Sequence, residues 1–362
     1  MRKTVGAFGL AFVFLAVLGT QARAQTSNSV DFTLSNDAAT QAFQQATGMT
    51  TQGLHDFLRG QIDQLFQVTN AVGFVRNFAD AQSFTSKGMG VDYASEAIYA
   101  EVGGAASFAL GMDKTYQPGG TQGFPIRGVS FNASLMGGVS LGFLGIPVMV
   151  FGNWMKVPTR DYGDMSGSLQ NFGVHAQLRL FGPSRGASAL NMLVRWGGIA
   201  VTTGYDSSQM SLGLKHDVKS NFSIPNTTGM NVDVSGAASG SAVFNLNMST
   251  KSIPLEVTTS LRLLTLFTLY GGAGFDWQLG GGSTMDLDVS ADLVGHAPGL
   301  ANAPLGTAHA HATVHADPSS AKIRAILGAQ VNLWLIRLFA QVNVANTKPA
   351  MASLATGLRV AF

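Results

Sequence analysis

Two neighbouring segments of this chain carry acidic and imidazole side chains at every second position. The first contains Asp286, Asp288, Ser290 and Asp292, and the second contains His309, His311, Thr313 and His315. Residues two apart in a β-strand lie on one face, so each segment is expected to form a strand with one polar face. If residues 293–308 close a symmetric hairpin, Asp292 faces His309, Ser290 faces His311 and Asp286 faces His315, close enough to interact.

This Asp/His hairpin has three interpretations. Carboxylate oxygens and imidazole nitrogens together are suitable ligands for a divalent metal ion. Imidazoles also change charge near neutral pH, so the hairpin could be a pH-sensitive patch. In the third interpretation the carboxylates pair with the imidazoles, either in a polar wall of the lumen or in an extracellular hairpin. We adopt the polar wall, and the sequence predicts no metal ion and no other cofactor.

A second candidate for chemistry is Gly138-Val-Ser-Leu-Gly142, which matches the G-x-S-x-G pattern of hydrolases. That pattern works at a sharp turn between a strand and a helix, whereas here it lies in a strand that runs into a hairpin. A lipid-hydrolysing barrel that uses Ser140 is the alternative, but nothing pairs His175 with a particular serine. Cysteine is absent, which excludes disulfides and thiol chemistry. We therefore predict no catalytic residue and no enzyme.

The first 24 residues have the three parts of a secretory signal peptide. Arg2 and Lys3 form a basic start, Val5–Leu18 is an apolar run, and Ala22-Arg-Ala24 is a small-x-small cleavage site. A helix that crosses a bilayer needs about 20 residues, which is longer than this run. The sequence therefore predicts a cleaved signal peptide at residues 1–24 rather than a membrane anchor.

Composition favours a membrane barrel over a soluble enzyme. Charged residues are 12% of the chain, about half of the share in soluble domains, and 44 residues are glycine. After Leu18 no apolar run is long enough for a membrane helix. An exported apolar chain without helical spans satisfies its backbone in lipid by closing a sheet. The net charge of +2 falls to about −1 without Arg2, Lys3 and Arg23, which gives no support for nucleic-acid binding.

From about residue 92 onwards, apolar and polar residues alternate with a period of two. The apolar face carries Phe131, Leu135, Val139, Leu255, Val257, Leu261, Ile323, Leu327, Leu338 and Val342. We assign this face to lipid and the opposite face to the lumen of a barrel. The predicted lumen wall consists of Glu256, Arg262, Arg324 and Arg359 together with Asp286, Asp288, Asp292, His309, His311 and His315. An inward arginine avoids about 2–4 kcal/mol at the lipid midplane. A soluble all-β sandwich is the alternative.

The connections between strands differ in length and composition. Residues 142–146, 263–267 and 333–337 are short, apolar and aromatic, which suits a membrane interface. Residues 113–125, 157–168 and 294–306 are expected to be longer loops at the other end. Short turns at one end and long loops at the other are typical of bacterial barrels. The fold class predicted is an all-β, transmembrane antiparallel β-barrel of about 14 strands, in a range of about 12–16.

Residues 25–90 are predicted to form a small helical domain, and residues 91–362 the barrel. A short helix through Gln45 is expected first. Then Leu54, Leu58, Ile62, Leu65 and Phe66 recur at helical spacing, and Phe74, Phe78 and Phe84 extend the apolar face. The helices have two interpretations: a plug inside the barrel, or a pair packed under its periplasmic rim.

The final strand places Leu354, Leu358, Val360 and Phe362 on one face, and an aromatic residue is last. Such a strand is typical of a bacterial outer-membrane barrel. This ending resembles the C-terminal signal that the barrel-insertion machinery reads. We therefore predict that these four residues are a membrane-insertion signal. The expected partners include the lipid bilayer and that machinery, and the expected location is the outer membrane of a Gram-negative bacterium.

The signal peptide, the helical segment, the strands and the final phenylalanine together resemble the long-chain fatty-acid transporter (FadL-like) class of outer-membrane barrels. This resemblance implies an N-terminal hatch that fills the barrel, and hydrophobic substrates that leave through an opening in its wall. Gly213-Leu-Lys-His-Asp-Val218 also resembles a short motif in an uncharacterised group of outer-membrane barrels. The transporter family's N-terminal sequence is not found after Ala24, so no residue role is carried over.

These features predict a channel or transporter for small solutes, hydrophobic ones included, whose lumen the N-terminal helices restrict. The alternative is a non-transport barrel that acts as a scaffold or partner in a cell-envelope complex. Hydrophobic small molecules or envelope proteins are therefore further expected partners, and nucleic acid is not.

Overall fold

The computed structural model describes residues 24–34, 68–94, 99–112, 127–182, 193–223, 235–297, 300–345 and 350–362, with a few single positions between 41 and 56. The predicted signal peptide through Arg23 and the predicted loop at 113–125 lie outside the described residues. The apolar positions Leu54, Leu58, Ile62, Leu65 and Phe66 lie outside them too.

The described residues form one long helix and twelve strands. The helix, α1, spans Val68–Thr85. The strands are β1 Ala24–Leu34, β2 Ala100–Met112, β3 Arg127–Ser140, β4 Val148–Tyr162, β5 Met165–Phe181, β6 Val194–Ser223, β7 Ser235–Leu263, β8 Phe267–Ala297, β9 Leu300–Ala316, β10 Ala321–Leu333, β11 Ile336–Ala345 and β12 Ala350–Ala361.

The strands form one antiparallel sheet that closes on itself. Their order is β1-β9-β8-β10-β11-β12-β2-β3-β4-β5-β6-β7, and a further pairing of β7 with β8 closes the ring. Ten of the described strands form this ring, which is fewer than the roughly 12–16 expected for the barrel. Strands β9 and β1 extend the sheet beside the far half of β8. The prediction of an antiparallel β-barrel with a small helical part is therefore confirmed.

Three neighbouring strands are much longer than the rest of the ring. Strands β6, β7 and β8 have 30, 29 and 31 residues. The near half of β8, Phe267–Trp277, pairs with β10, whereas its far half from Ser283 pairs with β9. The far halves of these strands, with β9 and β1, therefore form an extension of the sheet beyond the end of β10.

Each ring strand has one exposed and one buried face, and the exposed face is apolar. Leu135, Ile323 and Leu327 are 63%, 69% and 65% exposed, whereas Asn132 and Arg324 are buried. Strand β11 alternates in this way over its whole length. A soluble protein has the opposite distribution, so the predicted assignment of the apolar face to the outside of the barrel is confirmed.

The short connections lie at the end of the ring where β2 starts and β12 finishes. They are the 3₁₀ turn Leu141–Leu144, residues 264–266 and residues 334–335. Trp334 is 91% exposed and has a positive φ of 59°. These turns agree with the prediction of short apolar connections at one end.

The prediction of long loops at residues 157–168 and 294–306 is wrong. Strand β4 continues to Tyr162 and β5 begins at Met165, so residues 157–168 are mostly strand. A bulge between Val157 and Arg160 accommodates Pro158, which has no N–H to donate to a ladder. Residues 294–306 belong largely to β8 and β9. We term the part of the ring whose outward face is apolar, with Leu135, Ile323 and Leu327, the apolar band. The strands at 157–168 and 294–306 continue beyond this band, and their polar composition there suggested loops.

The prediction of a helical segment is wrong at its start, since residues 24–34 are the strand β1. This strand pairs antiparallel with β9, from Ala24 opposite Ala316 to Leu34 opposite Gly306. The outer edge of β9 carries backbone groups that another strand can pair, which explains why this segment is extended rather than helical.

Helix α1 and the residues after it are buried. Val75, Ala79 and Phe84 have no exposed surface, and Phe74 is 8% exposed. The helix packs against residues of β2, β3, β6, β7, β8, β9 and β12. Among the described residues, no helix is both long and apolar enough to cross a membrane.

Candidate functional site

The segment that follows α1, residues 86–94, is termed the interior loop. Its glycines Gly88 and Gly90 have φ values of +79° and +90°. A Cβ at Gly88 would lie 2.2 Å from Gln341 Nε2, and one at Gly90 would lie 3.0 Å from Asn153 Cβ. Glycine therefore allows the loop both to turn and to approach the strand residues closely.

Lys87 connects the interior loop to three strands. It is 1% exposed, and its Nζ lies 3.1 Å from Asp206 Oδ2, 3.7 Å from Asp276 Oδ1 and 2.5 Å from Ser252 Oγ. His175 Nε2 lies 3.2 Å from the other oxygen of Asp206. One lysine of the loop therefore holds together carboxylates from β6 and β8.

Arg324 is the centre of a second cluster. Its Nε donates to Asp276 Oδ2 over 2.9 Å and its Nη1 donates to Asn343 Oδ1 over 2.6 Å. It also forms an ion pair with Glu256, whose Oε2 accepts a 2.6 Å hydrogen bond from the Tyr93 hydroxyl. Asp276 contacts both Arg324 and Lys87, so the contacts of Arg324 are continuous with those of Lys87.

Asp92 forms a third cluster near the end of the ring. Arg359 Nη1 lies 2.8 Å from Asp92 Oδ1, and Arg337 Nη1 lies 3.5 Å from Oδ2. Arg359 also donates to the carbonyl oxygen of Val91 over 2.7 Å and lies 3.9 Å from Glu101. Two arginines of the strands therefore hold the last part of the interior loop.

Helix α1 makes polar contacts of the same kind. Asp80 Oδ1 lies 2.8 Å from Lys322 Nζ and accepts a 2.8 Å hydrogen bond from the backbone N–H of Ser319. Gln82 donates to Ser208 Oγ over 2.6 Å. The helix is thus linked to residues of β6 and β10 as well as packed against apolar side chains.

These contacts bring opposite charges together. They join five cations, Lys87, Lys322, Arg324, Arg337 and Arg359, to six carboxylates, Asp80, Asp92, Glu101, Asp206, Glu256 and Asp276, with His175 beside them. A buried charge is tolerated when a partner compensates it, whereas an uncompensated one is costly. The buried side of the ring therefore carries an ion-pair network between the strands and residues 80–92.

Some buried amides of the strands lack a partner within the described parts of the chain. Both side-chain polar atoms of Asn153 and of Asn171 form no hydrogen bond there. Buried polar groups normally bind protein, water or a ligand. The face that contacts the interior loop therefore has hydrogen-bonding capacity for water or a polar solute.

The predicted wall residues divide into two groups. Glu256, Arg324 and Arg359 are at most 2% exposed and lie in the ion-pair network. Arg262 lies at the end of β7, where its guanidinium donates to the carbonyl oxygen of Thr265 over 2.8 and 3.1 Å. The Asp/His hairpin lies elsewhere.

The prediction that the Asp/His hairpin faces the lumen is wrong. Asp288, Asp292, His309 and His311 are exposed on the extension, and Asp286 and His315 share their half-buried to exposed face. The cause is a bulge at Leu279, because Ser252 pairs with Gln278 whereas Lys251 pairs with Gly280. One extra residue exchanges the two faces of a strand. Met285 is therefore buried where a continuous alternation would expose it.

The predicted register of this hairpin is also wrong. Asp288 faces His311, with 2.6 Å between Oδ1 and Nδ1, and Asp286 faces Thr313. The register shifts near Leu293 and again near Gly295 displace the expected pairs by two residues. Among the described residues, no group of three or more histidines and carboxylates is arranged to hold a metal ion.

The residues of the predicted insertion signal lie on the exposed side of β12. Leu354, Leu358 and Phe362 are 48%, 44% and 54% exposed, and Val360 is partly exposed. Their role in insertion stays a prediction.

The hydrolase-like pattern does not form a strand-to-helix elbow. Ser140 precedes the 3₁₀ turn, and its Oγ accepts a hydrogen bond from the N–H of Gly142 over 3.2 Å. His175 contacts Asp206 instead. The pattern therefore serves a turn.

Sequence reasoning missed the interior loop. Lys87 and Asp92 are ionic residues in a chain poor in charge, and they flank Gly88 and Gly90. That combination was the available signal. Glycines allow a turn to approach other residues closely, and a buried lysine or aspartate needs a partner of opposite charge.

A family model described as Lsa36-like matches residues 21–362. No curated protein matches the chain. Among solved structures, the translocator domain of the autotransporter NalP from Neisseria meningitidis is 13% identical, with a TM-score of 0.29 over 74% of this chain and 90% of that one. The Ralstonia pickettii toluene transporter TbuX is 9% identical, with a TM-score of 0.25 over 80% and 99%. The P. putida toluene transporter TodX is 8% identical, with a TM-score of 0.20 over 74% and 89%. At these TM-scores the three superpositions support no argument about this chain.

Proposed function

This chain belongs to the Lsa36-like family, and we propose that it is an outer-membrane β-barrel channel for small solutes, closed in its resting state by residues 68–94. The observation that carries the proposal is the ion-pair network between these residues and the buried face of the ring. Its two parts, the membrane position and the movable plug, have separate support.

The exposed face of the ring supports a membrane position. Leu135, Ile323 and Leu327 are typical of a surface that lipid covers, because a continuous exposed surface of so many aliphatic side chains would be unfavourable in water. Strands β10, β11 and β12 have 13, 10 and 12 residues, close to the roughly 9–11 that a tilted strand needs to cross the hydrocarbon core.

The contacts of α1 and the interior loop support a plug within the ring rather than a helical pair under its rim. Lys87 reaches carboxylates of β6 and β8, Asp92 reaches arginines of β11 and β12, and Asp80 reaches β10. In the ring of ten strands, β6 and β12 lie on opposite sides, five strands apart. One segment therefore contacts strands across the ring.

The polar nature of these contacts supports a plug that moves. Buried ion pairs add little net stability compared with apolar packing of the same volume, because both charges lose their hydration. If the plug separates from the strands, water can restore that hydration. A permanently filled barrel would gain more from apolar contacts.

A disulfide lock tests the movement directly, because the native chain has no cysteine. A Cβ at Gly90 lies 3.0 Å from Asn153 Cβ, near the separation of about 3.5–4.5 Å in disulfides. The variant Gly90→Cys/Asn153→Cys should pass solute into liposomes when reduced and should lose this flux when oxidised. The two single variants are the controls and should not respond to oxidation.

Equal flux in the oxidised and reduced double variant would contradict a moving plug. Since cysteine at a positive φ can impair folding, a second comparison uses the protein without residues 68–94. This deletion should conduct in planar bilayers more than the full chain does, and a sealed deletion variant would overturn the channel proposal.

A second candidate function is a scaffold in a cell-envelope complex, and the extension of β6–β9 favours it. Strands of about 30 residues exceed the length needed to cross a membrane and present a polar face beyond it. Cross-linking in intact envelopes should then capture one partner in a fixed ratio. Loss of that partner on removing residues 281–316, with a barrel sealed in both forms, would favour the scaffold over the channel.

Export through the signal peptide at residues 1–24 and insertion through Leu354, Leu358, Val360 and Phe362 belong to the same proposal. A Phe362→Ser variant is expected to insert more slowly into liposomes that contain the barrel-insertion machinery. An unchanged rate would remove that residue from the signal.

A further inference from the structure

A polar groove lies on the outside of the sheet, directly beyond the apolar band. It has a volume of about 800 Å³, and its walls include Lys156, Gln170, Gln209, Asn247, Thr284 and His315. Gln170, Gln209 and Asn247 alternate with the buried residues Leu169, Met210 and Met248, so these polar side chains point away from the barrel interior. This cavity is termed the outer groove.

The strand register aligns the groove into rows. Lys156 pairs with Gln170, Gln170 with Gln209, and Gln209 with Ser249, which pairs with Gly282. The row therefore crosses five strands at one level.

Two residues away along β4 and β5, on the same outward face, the next row of side chains belongs to the apolar band. Trp154 and Phe172 pair with each other there and are 55% and 44% exposed. A tryptophan and a lysine two residues apart on an outward face are typical of a bilayer interface. The outer groove thus lies where lipid headgroups meet the proposed membrane-spanning part.

Two glycines of β8 line the groove just beyond the bulge at Leu279. A Cβ at Gly282 would lie 2.6 Å from His315 Cε1, so glycine lets this imidazole lie close to the strand. Glycine within a strand marks a bulge or a place where another group approaches the backbone closely, and both occur here.

The groove walls are also ordered. His315 Nδ1 lies 3.0 Å from Thr284 Oγ1, and its Nε2 lies 3.0 Å from Asp317 Oδ1. The hydroxyls of Ser168 and Ser211 are 2.6 Å apart. Side chains that are held in place lose less freedom when a ligand binds.

We propose that the outer groove binds the sugar headgroup of a phosphorylated glycolipid whose acyl chains lie along the apolar band. Amide and hydroxyl side chains provide the alternating donors and acceptors that sugar hydroxyls need. Lys156 provides a cation for a phosphate at the rim. The volume lies within the roughly 300–1,000 Å³ of ligand sites. This inference rests on the proposed membrane position of the ring and not on a moving plug.

The test measures binding of a diphosphorylated glucosamine-disaccharide lipid, of its dephosphorylated form and of phosphatidylglycerol, by native mass spectrometry of the full chain in detergent. The variant Gln209→Ala/Asn247→Ala should weaken binding of both glycolipids at least about tenfold, the size expected when hydrogen bonds to polar ligand groups are lost. Phosphatidylglycerol should bind weakly to wild type. The matched control is Lys219→Ala/Ser239→Ala, a pair of facing residues farther along the same two strands.

A Lys156→Gln variant separates the two parts of the headgroup. This variant should bind the phosphorylated lipid more weakly than wild type does and should bind the dephosphorylated lipid equally well. Free disaccharide phosphate, tested by calorimetry, should bind much more weakly than the lipid because the apolar band contributes only to the lipid. Equal binding of glycolipid to wild type and Gln209→Ala/Asn247→Ala, or tighter binding of phosphatidylglycerol, would overturn the proposal.

Discussion

The near and far halves of β7 and β8 use opposite faces for their apolar residues. In the near half, Leu255, Leu261 and Leu269 are exposed while Glu256 and Asp276 are buried. In the far half, Leu246, Met248 and Met285 are buried while Asp288 and Asp292 are exposed. One pair of strands is therefore organised as a membrane protein at one end and as a soluble protein at the other.

The difference shows that the medium around a strand decides which of its faces is apolar. Lipid favours an apolar exterior, so the near half places its charges inside and pairs them. Water favours a polar exterior, so the far half forms an apolar cluster with Val75 and Phe74 of α1. The bulge at Leu279 lies between the halves and exchanges the faces of β8.

Deleting Leu279 should have the largest effect on the difference between the two halves of β8. Without the extra residue, the far half of β8 must turn Asp286 and Asp288 inward or lose its pairing with the near half. Each uncompensated buried carboxylate costs several kcal/mol, so we expect no folded barrel by heat-modifiable electrophoresis. The control is Leu279→Ala, which keeps the bulge and should fold. A folded deletion variant would show that the bulge does not set the two faces.

Arg324→Met should have the next largest effect, since it removes the arginine that Glu256 and Asp276 share. We expect a loss of about 3–5 kcal/mol in the free energy of unfolding by urea in lipid vesicles. The triple variant Arg324→Met/Glu256→Gln/Asp276→Asn should recover part of this loss. If the triple variant is less stable than the single one, charge compensation is not the reason for the pairing.

Leu327→Arg changes the lipid-facing side of the same strand. Leu327 is 65% exposed in the middle of β10, and an arginine at the midplane of lipid costs about 2–4 kcal/mol. The measurement is again the free energy of unfolding in vesicles. His311→Arg on the extension is the matched control and should change stability little, because that face is polar. Similar losses in both variants would argue against different media around the two halves.

Asp288→Asn should have the smallest effect. The side chains of Asp288 and His311 are 57% and 46% exposed although their atoms are 2.6 Å apart. Exposed ion pairs contribute about 0–1 kcal/mol. Urea unfolding should therefore differ from wild type by less than about 1 kcal/mol. A loss as large as that of the arginine variant would mean that the outer face of the extension is covered in the native assembly.

Much of the barrel could be predicted from the sequence because its pattern has a simple period. Alternation of Phe131, Leu135 and Val139 with polar residues depends only on the pleat, and the exposed face follows from it. The buried positions of Glu256, Arg324 and Arg359 follow from the same parity. The partners of these residues could not be predicted, because they come from distant parts of the chain.

The sequence by itself determined the strand class, the apolar band and the short turns, since each depends on residues close together in the chain. Tertiary structure alone decided that Lys87 meets Asp206 and Asp276, that Asp92 meets two arginines, and that the Asp/His hairpin faces outward. The physical reason is that ring closure and one bulge set the register between strands. A shift of one residue exchanges every face beyond it without changing the local pattern.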